Sequence, residues 1–256
     1  MAQIFAVTNQ KGGVGKTTTA INLTASLALK QKKVLLIDSD PQGNATTGSG
    51  IDKHALESGL HHVLLNEGTV ENAILNTAHG YDIVGTNGDL TATEVQLIQQ
   101  AQRTHLLKNA LKTILHHYDY IIIDCPPALN TLTLNSLVAA NQLLIPMQCE
   151  YFALEGLASL IETMQQVQQH LNPTLQLSGI IRTMYDPRNR LAAEVSKQLL
   201  QHFKNKVFKV AIPKNVKLAE APSHGLPACI YSKYSQGSKA YMVLAEEITS
   251  KEDIHA

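Results

Sequence analysis

The chain has 256 residues, 44% of them hydrophobic, which is enough for one large core and excludes global disorder. Lys+Arg and Asp+Glu number 21 each, so the formal net charge is zero and a generally basic nucleic-acid coat is excluded. Three widely spaced cysteines (Cys125, Cys149, Cys229) lack a CxxC, which gives neither a disulfide framework nor a zinc site and points to a reducing compartment.

The N-terminus, MAQIFAVTNQ, has no charged segment followed by a long apolar one, so no signal peptide is expected. No apolar run approaches the ~20 residues that span a bilayer, so a soluble, cytoplasmic protein is expected. Ile4 to Thr8 reads as a short strand, followed by the loop Gln10-Lys11-Gly12-Gly13-Val14-Gly15. A helix starts at Lys16, with Ala20, Leu23 and Leu27 at helical spacing, and Val34 to Ile37 forms a second strand ending at Asp38. This is a βαβ unit. Residues 51–90 are the least regular part of the chain. Tyr120 to Ile123 reads as a buried strand ending at Asp124 and stopped by Pro126-Pro127; Gln142 to Pro146 reads as another. Leu157, Leu160, Ile161, Met164, Val167 and Leu171 lie on one helical face. Leu175 to Ile181 is predicted as a strand, Leu191 to Phe203 as a helix, Val207 to Ile212 as a strand stopped by Pro213, and Ala240 to Ile248 as a closing helix. Strands alternating with helices imply an α/β fold, a mostly parallel twisted sheet flanked by helices on both faces. With no linker or repeat, residues 1–256 read as a single domain.

The segment Lys11-Gly-Gly-Val-Gly-Lys16-Thr17-Thr18 sits between a strand and a helix, the context in which a phosphate-binding loop forms. Glycines let backbone N–H groups converge on an anion, and the helix N-terminus adds partial positive charge. Lys16 is placed to reach the β- and γ-phosphates, and Thr17 to ligate Mg²⁺. Two departures mark the loop: Gln10 stands at the first glycine position, and Lys11 is a second lysine. Lys11 reads either as an exposed surface charge or as a cation that neutralises phosphate, across a subunit boundary in one version. Asp38, Asp40 and Asp124 lie at or just beyond the carboxyl ends of strands, where open α/β sheets bind ligands. One such acid is often a helix cap, but three beside a phosphate loop are not well explained as caps, and Asp124, which ends an apolar strand, is placed to hold Mg²⁺ directly or through water.

The remaining signal is charge segregation. From Arg182 to Lys239 there are eleven basic residues against three acidic ones (Asp186, Glu194, Glu220), a local +8 balanced by −8 elsewhere. On a helix from about Asn189 to Lys204, Arg190, Lys197 and Lys204 recur every seven residues and share one stripe, because each step of seven turns only about −20°. The stripe reads either as a solvated face or as a surface for DNA phosphates. No helix-turn-helix, zinc finger or aromatic platform accompanies it.

The stretch Gln10-Lys-Gly-Gly-Val-Gly-Lys-Thr-Thr-Thr19 resembles the deviant Walker A motif of the ParA/MinD ATPases. Val34-Leu-Leu-Ile-Asp-Ser-Asp-Pro-Gln-Gly-Asn44, Ile121-Ile-Ile-Asp-Cys-Pro-Pro127, Glu150-Tyr-Phe-Ala-Leu-Glu-Gly156 and the run from Ile212 to Gly225 extend the likeness to the short chromosomal ParA (Soj-like) partition ATPases over nearly the whole chain. The resemblance implies a P-loop NTPase that hydrolyses ATP with Mg²⁺ and closes into a nucleotide-sandwich homodimer, with Lys11 of each subunit on the other's phosphates. It implies that Lys16, Lys11 and Asp40 are catalytic, Asp40 positioning the attacking water. Gly12, Gly13, Val14, Gly15, Lys16, Thr17 and Thr18 would hold phosphate, with Asp38 in the Mg²⁺ network and Asp124 as the Walker B acid. By position, Met184 and Pro213 border the base. Arg188, Lys214 and Lys217, with Arg190 and Lys197 on the stripe, are the candidates for nonspecific double-stranded DNA. A nucleoid-associated dimer released by a ParB-like partner follows, with no membrane expected. With ten residues before Lys11, the N-terminal DNA-reading domain of plasmid-type relatives is not expected. Ser39 and Arg182 depart from the family, standing where it has apolar residues.

Three rivals share parts of this pattern. A MinD-like membrane-surface ATPase needs a basic amphipathic C-terminal helix, whereas Ala245-Glu-Glu-Ile-Thr-Ser-Lys-Glu-Asp-Ile254 is acidic. An iron–sulfur reductase resembling the nitrogenase iron protein needs thiolates from both subunits around a cluster, and Cys125 and Cys149 read as buried small residues. A small-molecule kinase or ligase needs a substrate pocket that the sequence does not locate.

Overall fold

The computed structural model describes residues 2–100 and 102–253. β1 (Gln3–Val7) runs through the glycine loop into α1 (Lys16–Leu29) and back to β2 (Val34–Asp38). Short elements follow: α2 (Asn44–Gly48), α3 (Leu60–Leu65), α4 (Val70–Ala73), β3 (Ile74–Asn76), β4 (Asp82–Val84), α5 (Asp89–Leu97) and α6 (Leu106–Leu111). Then come β5 (Tyr120–Asp124), α7 (Thr131–Ala139), β6 (Gln142–Gln148), α8 (Ala153–His170) and β7 (Gln176–Thr183). The chain ends in α9 (Arg190–Phe203), α10 (Val216–Glu220), α11 (Ala228–Tyr231) and α12 (Gln236–Asp253).

The seven strands make one sheet in the order β3-β4-β2-β5-β1-β6-β7, parallel except for the β3–β4 pair. Alternate residues of each strand feed opposite faces. Ile4 and Ala6 of β1 and Ile121 and Ile123 of β5 join one core with α3, α7 and α8; Phe5, Val7, Tyr120 and Ile122 join the other with α1 and α12. Two buried faces explain why these strands are almost continuously apolar. Pro146 is tolerated inside β6 because the ladder to β1 covers only Gln142 to Leu144.

β5 pairs in register with both β1 and β2, so Val7 and Asp38 each lie opposite Asp124. The end of the glycine-loop strand and two acidic strand ends are therefore neighbours by topology. No described helix is long and apolar enough to cross a membrane.

Two expectations are corrected. Val207 to Ile212 is not a strand: its main chain meets β7 at the isolated bridge Ile180–Val207, where the Phe208 amide donates to the Ile180 carbonyl (3.0 Å), and again where the Ile212 amide donates to the Arg182 carbonyl (2.8 Å), with a second isolated bridge, Tyr185–Pro213, just beyond. Between those bridges, side chains take the groups a ladder would use. The Lys209 and Val210 amides donate to the Glu247 carboxylate (2.9 and 2.7 Å), and the Arg182 guanidinium donates to the Phe208 and Lys209 carbonyls (3.1 and 2.7 Å). The basic stripe also loses Lys204, because α9 stops at Phe203 and Lys204 turns to φ +38°. The chain reverses there to reach the sheet edge, with the Val207 amide closing on the Lys204 carbonyl at 3.2 Å.

Candidate functional site

The glycine loop bends over the carboxyl end of the sheet. Gly13 (φ +74°) and Gly15 (φ +88°) occupy the left-handed region, which only glycine enters freely. The Thr183 hydroxyl at the end of β7 donates to the Val14 carbonyl (2.8 Å) and pins the loop to the sheet. Gly15 precedes α1 without a side-chain cap, so the first N–H groups of a 14-residue helix stay available to an anion. A cavity of about 280 Å³ lies above them, lined by Gly12, Gly13, Lys16, Thr17, Asp40 and Asn44, with Thr18 at its wall.

Lys16 is buried, and its ammonium reaches only the Lys11 carbonyl, at 3.2 Å. Burial pulls its pKa down, while the nearby negative charges of Asp124 and Asp40 oppose that. Asp38 is fully buried and accepts from the Thr46 amide (2.7 Å), the Thr46 hydroxyl (2.7 Å) and the Asp40 amide (3.2 Å). Burial nevertheless pushes its carboxyl up to about 6. Asp124 is also fully buried, and neither carboxylate oxygen makes a hydrogen bond of ordinary geometry, although the Thr17 hydroxyl is near enough to ease its ionisation. Burial first, and then the charge of Asp38, hold its pKa well above the carboxylate range. Asp40 accepts from the Gln42 amide at 3.0 Å and faces the cavity.

The site is short of positive charge: Asp124 and Asp40 lie near the one buried ammonium of Lys16, and Asp38 adds its charge next to Asp124. Two buried, unsatisfied oxygens on Asp124 are what a divalent cation beside a phosphate would satisfy. Among the described residues, no cluster of His, Cys, Asp and Glu could hold a metal alone. A cation here would share phosphate and water oxygens, as Mg²⁺ commonly does.

A second cavity of about 260 Å³ continues from the first, sharing Gly15, Thr18 and Met184. Its lining is mostly apolar, with Ile212, Pro213, Val216 and Leu218 around it. Met184 and Pro213 are thus together on its wall, Met184 in a left-handed conformation (φ +48°) that turns the chain out of β7. A polar cavity opening into an apolar one matches a triphosphate joined to a flat base. A larger cavity of about 440 Å³, lined by Lys33, Tyr81, Asp82 and Tyr118, lies at the opposite end of the strands and contains none of these groups.

Lys11 points away from its own loop, half-exposed, and is paired with Glu150. Beside Glu150, Tyr151 and Phe152 are 73% and 71% exposed and pack edge to face. Glu150, Thr46 and Thr183 have no role in the sequence reading; Glu150 falls inside a family-like motif, Thr46 lies two residues past one that ends at Asn44, and Thr183 carries no signal. The cysteines are buried: Cys125 is pushed up to about 12 and Cys149 to about 11, opposite to what a cluster-ligating thiolate requires.

The basic candidates form two groups. Arg188 is paired with Asp186 (2.8 Å) and Lys217 with Glu220 (2.8 Å). Arg190, Lys197 and Lys214 are exposed and belong to no ion pair among the described residues. Ser39 is buried and accepts from the Ser136 hydroxyl at 3.3 Å.

Residues 2–177 match the AAA domain family. The chain is 46% identical over 251 residues to the sporulation initiation inhibitor protein Soj of Bacillus subtilis, covering 98% of this chain and 99% of that protein. It belongs to the Soj/ParA family of ATPases. The chromosome partitioning protein ParA of Caulobacter vibrioides is likewise 46% identical over 253 residues, 98% of this chain and 95% of that protein. Among solved structures, a cobyrinic acid a,c-diamide synthase from Mycobacterium smegmatis with bound ADP and magnesium has a TM-score of 0.84 at 36% identity, covering 96% of this chain and 93% of that one. This Soj/ParA-family chain is accordingly an ATP-hydrolysing enzyme on a P-loop fold, and several of its relatives are named as chromosome-partitioning proteins.

Proposed function

We propose that this chain, a single ATPase domain over residues 1–256, partitions DNA in the cytoplasm by cycling on and off the nucleoid. ATP closes two copies into a homodimer that holds double-stranded DNA without sequence preference. Hydrolysis, stimulated by a ParB-like centromere-binding partner, releases it. The carrying observation is Lys11: a lysine of the phosphate loop that turns outward onto Glu150 is available to a second subunit.

The residues take distinct tasks. Gly12, Gly13, Val14, Gly15 and Thr18 offer backbone amides to phosphate oxygens. Lys16 neutralises the β- and γ-phosphates from its buried position. Thr17 and Asp124 would hold Mg²⁺, and Asp38, its oxygens engaged by Thr46 and Asp40, fixes the same network from behind. Bound there, Mg²⁺ would supply charge neutralisation on the phosphates. Asp40 orients the attacking water, and Met184 and Pro213 border the base. Phosphoryl transfer is mostly positioning, so no covalent nucleophile is required. Arg188, Arg190, Lys197, Lys214 and Lys217 meet DNA phosphates, and two subunits on one duplex link affinity to nucleotide state.

The test is sedimentation with ADP, ATP, and ATP plus duplex DNA, on wild type and Asp40→Ala. A dimer with ATP alone, trapped in the variant and co-sedimenting with DNA, is expected. Monomers of the ATP-saturated variant would contradict the reading.

A further inference from the structure

The edge segment 207–213 carries Ile212 and Pro213, two walls of the apolar cavity, yet no ladder bond to β7 covers its middle, between the Phe208 amide on the Ile180 carbonyl (3.0 Å) and the Ile212 amide on the Arg182 carbonyl. Two side chains of opposite charge hold it instead. From β7, Arg182, 8% exposed, donates to the Phe208 and Lys209 carbonyls and to the Ser196 hydroxyl of α9 (3.0 Å), and its guanidinium lies 5.4 Å from the Tyr185 ring centroid. From α12, Glu247 accepts the next two amides, those of Lys209 and Val210. The segment is thus gripped by its carbonyls on one side and its amides on the other. Immediately beyond the grip, the Ile212 amide closes on the Arg182 carbonyl (2.8 Å) and the Tyr185 amide on the Ile212 carbonyl (2.9 Å).

Arg182 forms no ion pair among the described residues, and its Nε has no hydrogen-bond partner. Burying a guanidinium in that way is costly, and an apolar residue of similar volume would avoid the cost. What an apolar residue cannot do is hold two consecutive carbonyls and a helix hydroxyl at once. Along the chain, Thr183 ties the same strand end to the phosphate loop and Met184 forms the cavity wall facing Pro213.

We propose that Arg182 and Glu247 are positioning residues for the nucleotide base: together they set the Ile212–Pro213 wall, so that affinity for the base is controlled from outside the phosphate loop. This rests on the reading of the apolar cavity as the base site.

The experiment measures binding of Mg-ATP and of Mg-tripolyphosphate, with steady-state ATPase kinetics, for wild type, Arg182→Met and Glu247→Ala. Each variant should lose about tenfold in ATP affinity, the scale of a lost charge-assisted hydrogen bond. Tripolyphosphate affinity should change less than about twofold, and KM should rise while kcat at saturation holds. Glu247 is only partly buried, so its variant carries the test if Arg182→Met does not fold. Equal losses for both ligands, or no loss in Glu247→Ala, would overturn the proposal. A wild type that binds tripolyphosphate as tightly as ATP would instead remove the base-site reading itself. Wild-type preference for ATP, unchanged in the variants, would remove only the clamp.

Discussion

The two kinds of basic residue lead to a quantitative expectation for DNA binding. Arg188 and Lys217 begin in ion pairs, and Arg188 holds the Asp186 carboxyl down to about 2, so that pair persists at any working pH. When a paired cation transfers to a DNA phosphate, its abandoned carboxylate recaptures a counterion and the net release is close to zero. Only Arg190, Lys197 and Lys214 then contribute fully, six cations in a dimer. At about −0.9 per neutralised phosphate, log affinity should fall against log salt with a slope near about −5, a loss of roughly a thousandfold between 50 and 200 mM. The perturbation is Asp186→Asn with Glu220→Gln, which frees four more cations per dimer and should steepen the slope to about −9. The assay is anisotropy of a labelled duplex with ATP-saturated Asp40→Ala protein across a salt series. Adding Arg188→Ala and Lys217→Ala to that background should return the slope to about −5. A slope that ignores the two acids, or a flat salt response in wild type, would refute the counterion reasoning.

Three further outcomes follow from the site and the core. Asp124 ionises at higher pH in the folded, nucleotide-free protein than unfolded, so its charge destabilises the empty fold as pH rises out of the ordinary carboxylate range. Asp124→Asn should therefore raise the melting temperature in EDTA at pH 8 by at least about 2 °C, lose that advantage at pH 4, and lose Mg²⁺-dependent ATPase. Lys11→Ala removes a half-exposed ion pair, so calorimetry should show stability unchanged within about 0.5 kcal/mol, with ATP still bound but no dimer by light scattering. At Gly179, an added Cβ would meet the Phe208 ring at 2.6 Å and the Lys206 carbonyl at 3.0 Å. Gly179→Ala should cost about 1–3 kcal/mol in urea unfolding.

The phosphate side of the site is legible because its signals are local. The loop lies directly between β1 and the 14-residue helix Lys16–Leu29, and Asp38 and Asp124 close the apolar runs that become β2 and β5. Residues 51–90 are not legible because β3 and β4 have three residues each and α4 has four, too short for either periodicity to register. Glu150 escaped for another reason: its partner Lys11 is 139 residues away, and only the fold brings them together. Val207 to Ile212 has the composition of a strand, but composition does not reveal that Arg182 and Glu247 will take its backbone groups. The oddity that pointed there was Arg182 itself, a cation at an apolar strand position.

The charge balance of the cavity then bears on why one loop carries two lysines. In the free protomer Lys16 feels the charges of Asp124 and Asp40, and Lys11 is already matched by Glu150. A magnesium triphosphate arrives with a net charge of about −2, which a single buried ammonium cannot balance. The loop's own amides and the α1 terminus make up part of the difference, as partial charges rather than whole ones. Lys11 cannot supply the rest in its own protomer without giving up Glu150, whereas in the proposed dimer a facing subunit would bring its Lys11 to the open cavity. Exposed pairs of this kind are worth at most about 1 kcal/mol, so exchanging Glu150 for a phosphate is inexpensive. A weak pair on the rim and a charge deficit in the cavity together would make closure of the proposed dimer conditional on the triphosphate, the property that the proposed partition cycle needs.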